Sequence, residues 1–230
     1  MKDSEAPSFD RTTFRPPESP HSYFLSFEGI EACGKSTQIV KVKSYLEEKG
    51  FRVITLREPG GTSFGEKLRQ AILESNEKVH PLAEAHLFAA SRAQLLGQII
   101  LKELSTPKTI VICDRYIDSS LAYQGQARKL GCDTILTMHK DFPLNTVPHK
   151  TFYLKIDPDT SFERQKLRGS EKDYFEAEDR NFYQSLVDGY DLAAKLFPER
   201  ILILDGLCQA DEVFLTVKES IDRLIEPKKG

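Results

Sequence analysis

Between Tyr23 and Thr37 the chain reads YFLSFEGIEACGKST: an apolar run, a glycine, four residues, then Gly34-Lys35-Ser36. YFLSFE has the length and composition of a short strand. Lys35 to Lys49 places Ile39, Val42, Tyr45 and Leu46 at helical spacing before Gly50 closes the run. Strand, glycine loop and helix in that order confine the fold sharply. The loop must leave the end of a strand, and its main-chain N–H groups must converge where the helix begins. Such a loop cradles nucleotide phosphates through Gly29, Ile30, Glu31, Ala32, Cys33, Gly34, Lys35, Ser36 and Thr37. Lys35 would neutralise the β- and γ-phosphates, and the Ser36 hydroxyl would ligate Mg²⁺. Cys33 need only be a small side chain. The loop identifies the fuel and leaves the task open.

The rest of the chain alternates strands with helices. RVITL (52–56), TIVIC (109–113), KTFYLKI (150–156) and RILIL (200–204) read as four further strands, and the continuous β-branched run of TIVIC suits burial on both faces. Helices are expected over 64–73, 82–104 and 209–225, with a loop and helix over DRYIDSSLAYQGQARKLG. The fold class is therefore α/β: a five-stranded parallel sheet flanked by helices in three layers, with ligands beyond the C-terminal strand ends. The 82–104 helix is apolar on nearly every face and needs cover, either from the core or from another subunit. Asp114 ends the third strand and would lie near the Mg²⁺, directly or through a water, with Arg115 beside it for a second phosphate. A strand-capping ion pair is the alternative.

Composition excludes several classes. A net charge of −3 gives no concentrated basic face for a nucleic acid. No apolar run is long enough to span a bilayer, so no membrane partner is expected. Four cysteines without metal-ligand spacing fit a reducing, cytoplasmic compartment. At 230 residues, one domain over 22–230 is expected. Residues 1–21, rich in proline and charge, read as a disordered, mobile tail.

FEGIEACGKST, REPGGTSFGEKLR, LFAASRAQL and DRYIDSSLAYQG, in that order, resemble the thymidylate kinase family of P-loop nucleoside monophosphate kinases from about Tyr23 to the C-terminus. The resemblance implies transfer of the γ-phosphoryl group of MgATP to dTMP for dTTP synthesis, usually by a homodimer. It gives Phe88 a stacking role on thymine and Arg92, one helical turn later, the base's carbonyl edge. On spacing alone these two read as a core aromatic and a helix-surface charge. Arg115 and Arg69 would hold the acceptor phosphate, Glu31 would lie near the sugar 3′-hydroxyl, and Tyr123 would pack on the deoxyribose. Either Ser119 or Ser120 would touch the base. A charged lid over about 160–180 would supply the catalytic charge, because Ala32 leaves the loop without an arginine. Lys172–Glu176 (KDYFE) departs from the Asp-Arg pair of many bacterial relatives, so Arg164, Arg168 or Lys172 would serve. The five histidines join none of these blocks. A kinase for another nucleoside monophosphate is the nearest rival. A GTP switch lacks its Asn-Lys-x-Asp and Asp-x-x-Gly motifs here, and a catalytically dead nucleotide-binding protein is left room only by the lid.

Overall fold

The computed structural model describes residues 10–75, 77–169, 174–175 and 177–226. Five parallel strands form one sheet: β1 (Tyr23–Glu28), β2 (Arg52–Arg57), β3 (Thr109–Asp114), β4 (Lys150–Lys155) and β5 (Ile201–Asp205), in spatial order β2-β3-β1-β4-β5. The central strand β1 and its neighbour β3 carry continuous apolar runs, and Phe24, Leu25, Phe27, Ile110, Val111 and Ile112 are fully buried. Register places the end of β1 beside the end of β3, with Phe27 opposite Asp114. The loop after β1 and the loop after β3 therefore open side by side.

Helices cover the sheet. α1 (Lys35–Glu48) follows β1, and α2 (Ser63–Leu73) starts where the Thr62 hydroxyl accepts the Gly65 N–H at 2.9 Å. α3 (Pro81–Leu95) runs through a π-helical stretch, Leu96–Ile100, into α4 (Leu101–Leu104). Leu95, Leu96, Ile100 and Leu104 are buried within the chain, whereas Leu82 stays exposed. α5 (Ile117–Ser120) likewise continues through π-helical Leu121–Ala127. α6 (Cys132–Met138), α7 (Pro158–Arg168), α8 (Arg180–Leu196) and α9 (Ala210–Ile225) complete the order. α8 lies tightly on the Leu121–Ala127 stretch: a Cβ on Gly189 would come 2.6 Å from the Ala122 Cα.

The N-terminal segment corrects an expectation. From Phe14 on it packs on the domain instead of trailing away. Arg15 N–H donates to Asn145 O at 3.2 Å, Val147 N–H donates to Arg15 O at 3.0 Å, and the buried Phe14 ring lies 6.2 Å from that of Phe197. One aromatic and one backbone bridge suffice to tether a proline-rich stretch that lacks any periodicity. The expectation for residues 1–9 falls outside the described residues.

Candidate active site

The phosphate loop is shaped by close approach. Gly29 has φ 136°, and a Cβ there would stand 2.4 Å from the Leu154 carbonyl oxygen and 2.8 Å from Cys33 Sγ. Lys35, at the first position of α1, is buried, and its ammonium donates to the Gly29 and Ile30 carbonyls at 3.2 and 3.3 Å. The Glu31 carboxylate is 3.8 Å from it.

A cavity of about 940 Å³, part of it open to solvent, is lined by Glu31 to Thr37 together with Arg57, Glu58, Arg69, Asp114, Arg115, Arg164 and Arg168. Asp114 Oδ1 is buried there without a hydrogen-bond partner. An unpartnered carboxylate oxygen and the Ser36 hydroxyl in one cavity suit Mg²⁺, which keeps waters and takes few protein ligands beside phosphate oxygens. No cluster of three metal-ligating side chains occurs among the described residues.

Arg115 forms the partition. Its backbone is left-handed, φ 69°, and its N–H donates to Phe27 O at 3.0 Å, turning the side chain back over the loop. The guanidinium donates to Gly29 O, Tyr190 Oη and Glu31 Oε2, each at 2.9 Å, and sits 5.2 Å over the Tyr123 ring. Burial alone would raise the Glu31 carboxyl, but Arg115, Lys35 and Arg168 outweigh it and hold it down to about 2. Beneath this pair Glu28 accepts from Tyr116 N–H and the Ser119 hydroxyl, both at 2.6 Å. Burial, then the nearby Asp118 charge, pushes its carboxyl up to about 8.

On the other side of Arg115 a second space, about 650 Å³ including open solvent, is lined by Pro59, Ile72, Leu73, Phe88, Tyr116, Ser119, Tyr123, Phe175 and Tyr183, with Glu31, Glu58, Arg69 and Arg115 on the shared wall. Its aromatic lining is mutually braced: Phe175 meets Tyr123 edge-to-face at 5.3 Å and Phe88 at 6.0 Å. One cavity is cationic and faces the glycine loop; the other is lined largely by aromatic rings.

The sequence model of the family described as Thymidylate kinase matches residues 27–216. The chain belongs to the thymidylate kinase family. It is 36% identical over 206 residues to a thymidylate kinase of Caldanaerobacter subterraneus subsp. tengcongensis, covering 90% of this chain and 98% of the relative. It is 40% identical over 204 residues to that of Geobacillus sp. (strain WCH70), covering 87% and 97%. The crystal structure of thymidylate kinase from Ehrlichia chaffeensis superimposes with a TM-score of 0.69 at 30% identity, covering 88% of this chain and 99% of that one.

Against the resemblance to this family, the structure gathers most of the expected residues. Lys35, Ser36, Asp114, Arg115, Glu31, Arg69, Arg164 and Arg168 all line the cationic cavity, and Phe88, Tyr123 and Ser119 line the aromatic one. Arg92 does not line it. It is 1% exposed, which overturns a helix-surface reading, and lies behind the wall with Ser120 as a partner at 3.0 Å. Ser119 reaches the cavity but gives its hydroxyl proton to Glu28. α7 ends at Gly169, φ 67°, so only Arg164 and Arg168 share its face; Lys172 lies outside the described residues. Arg164 donates to Gly206 O at 3.0 Å and Ala32 O at 3.4 Å.

Several contributors carried little sequence signal. Arg57 and Glu58 stand in the REPGG block, where they went without a role. Phe175 stands inside the atypical KDYFE stretch, and Tyr190 arrives from mid-α8 with no motif. His139 touches Arg92 at 2.8 Å, correcting the expectation that no histidine joins these blocks.

Proposed function

We propose that the chain transfers the γ-phosphoryl group of ATP to dTMP, giving ADP and dTDP for dTTP synthesis. The observation that carries this is the shared wall: Arg115 and Glu31 border both the Lys35 loop cavity and the aromatic cavity, so donor and acceptor phosphates would meet at one guanidinium. An oxygen of the dTMP phosphate attacks the γ-phosphorus in line, the β–γ bridging bond breaks, and its electrons leave on ADP. No covalent enzyme intermediate is required, since positioning and charge stabilisation do the catalysis. Lys35 and the loop N–H groups hold the donor phosphates. Arg115 and Arg69 hold the acceptor phosphate, with Glu31 oriented by Arg115 beside the sugar. Arg164 and Arg168 supply positive charge from the lid side. Ser36 and Asp114 would hold Mg²⁺, whose contribution when bound is to neutralise charge across the β- and γ-phosphates. Phe88 offers the stacking face, and Tyr123 packs against the deoxyribose, disfavouring a 2′-hydroxyl.

The test is ADP release from MgATP with dTMP, dUMP, UMP, dCMP, GMP and AMP as acceptors. Strong preference for dTMP is expected; preference for a purine nucleotide would overturn the roles of Phe88 and Tyr123.

We also read the chain as a cytoplasmic homodimer that binds no nucleic acid. Its cysteines are free, and no helix among the described residues is long and apolar enough to cross a membrane. Ala83, Ala90 and Gly97 recur every seven residues on the exposed side of the α3 run, where a Cβ on Gly97 would meet nothing within 4 Å. Small residues at that spacing allow a second helix to approach. Sedimentation at the mass of a single 26.1 kDa chain would refute the dimer.

A further inference from the structure

Phe175 reaches the aromatic cavity from the segment that precedes α8, and its ring is half-buried. It meets Phe88 at 6.0 Å with 72° between the ring planes, and Tyr123 at 5.3 Å with 89°. A base stacked on Phe88 lies parallel to that ring. Phe175, inclined steeply to Phe88, is then no second stacking face. It stands upright to the base and limits how far the base extends in its own plane.

The attitude of this ring is fixed by an ion-pair chain. Glu178 N–H donates to the Phe175 carbonyl at 3.3 Å, closing a turn, and the Glu178 carboxylate accepts from Arg128 NH1 at 2.5 Å. Arg128 Nε–H donates to Glu84 Oε2 at 3.2 Å, while Gln124 Nε2–H donates to the other Glu84 oxygen at 2.8 Å. Glu84 is fully buried and stands one turn before Phe88 on α3. A buried carboxylate is costly unless it is paired, so Arg128 is held to it. The Arg128 guanidinium also lies 4.7 Å from the Phe182 ring and 5.9 Å from that of Phe175. The turn that carries Phe175 is thereby fastened to the helix that carries Phe88.

We propose that Phe175 is a specificity-determining residue of the acceptor cavity, a size limit on the base, and that Arg128 and Glu178 are the positioning residues that hold it. This rests on reading that cavity as the nucleoside site. A one-ring base on Phe88 gains an edge contact with the upright ring. A two-ring base on the same sugar phosphate meets it as an obstruction. One side chain thus favours the right base and excludes the wrong one.

Wild type is compared with Phe175→Leu, Phe175→Ala, Glu178→Ala and the double variant Phe175→Ala/Glu178→Ala. Arg128 is left in place, because its loss would strand the buried Glu84 carboxylate. KM for dTMP and ATP, kcat, and the inhibition constant of dGMP competing with dTMP are measured for each. Phe175→Ala should raise the dTMP KM about fivefold, the scale of one lost aromatic contact. The ratio of the dGMP inhibition constant to the dTMP KM should shrink about tenfold, with Phe175→Leu in between. kcat and the ATP KM should stay within about threefold, as for a contact made equally before and during transfer. Glu178→Ala should move the dTMP KM and the ratio about threefold in the same direction. Added to Phe175→Ala it should change neither, since it acts through that ring; additive effects would overturn its role. If wild type phosphorylates dTMP while Phe175→Ala keeps both quantities within about twofold, the inference fails and the proposed function stands. A lowered melting temperature with an unmoved ratio has the same meaning, since packing alone would produce it. If wild type does not turn over dTMP, the function fails and the inference with it. Should Phe175→Ala not fold, the Phe175→Leu ratio decides: a shift toward dGMP supports the size limit, and the wild-type value overturns it.

Discussion

Lys35 is the residue whose loss should be felt most. It is buried and set against the Gly29 and Ile30 carbonyls, which fixes its ammonium in the loop itself. Lys35→Ala should lose at least ~2–3 kcal/mol of transition-state stabilisation, as with other preorganised donors; near-normal kcat in that variant would remove Lys35 from the mechanism. His139 gives a pH signature. Its folded-state value, about 3, lies below the ordinary 6.5, so the unfolded chain binds the extra proton between them. The associated stability is present above 6.5 and drains away as pH falls toward 3. The wild-type melting temperature should therefore drop more steeply on acidification than that of His139→Asn. Which residues were legible follows the same physics. Lys35, Asp114 and Arg115 announce themselves because loop chemistry demands those types at those places. Tyr190 and His139 come from elements whose local sequence serves helix packing, and only the tertiary fold brings them to Arg115 and Arg92.

At the scale of elements, the contact of α8 with the Leu121–Ala127 stretch delivers the Tyr190 hydroxyl to Arg115. Gly189→Ala would place a methyl 2.6 Å from the Ala122 backbone and 2.9 Å from Gln126 Cβ. Overpacking of that kind costs about 1–3 kcal/mol. A thermal melt should show a loss of several degrees, together with a raised dTMP KM as Arg115 loses its brace; an unchanged melt would mean that α8 shifts freely. Every strand was readable in sequence to within about one residue, because each is a short run rich in β-branched, leucine and aromatic residues, continuous and buried in β1, β3 and β4. α6 was not, since its short CDTILTM stretch has too few turns to display a period. The π-helical stretches escaped for a different reason: their altered hydrogen bonding leaves composition unchanged.

Across the whole molecule, the parallel strands give the domain two unlike ends. The site occupies their C-terminal ends, while Phe14, Arg15 and Phe197 tie the N-terminal segment near the starts of β4 and β5. Removing residues 1–21 should cost about 2 kcal/mol from the buried Phe14 ring alone, leaving both KM values unchanged; a large change in either would show that the two ends communicate. At the C-terminal end separation is impossible. The Arg115 guanidinium borders both cavities, paired with the Glu31 carboxylate that also faces Lys35. With donor and acceptor seated as proposed, a nucleotide on one side redistributes that charge for the other. Free energies of binding are path-independent, so the factor by which donor alters acceptor affinity must equal the factor by which acceptor alters donor affinity. The partition built from Arg115 and Glu31 thus makes the two pockets reciprocal readers of each other's occupancy.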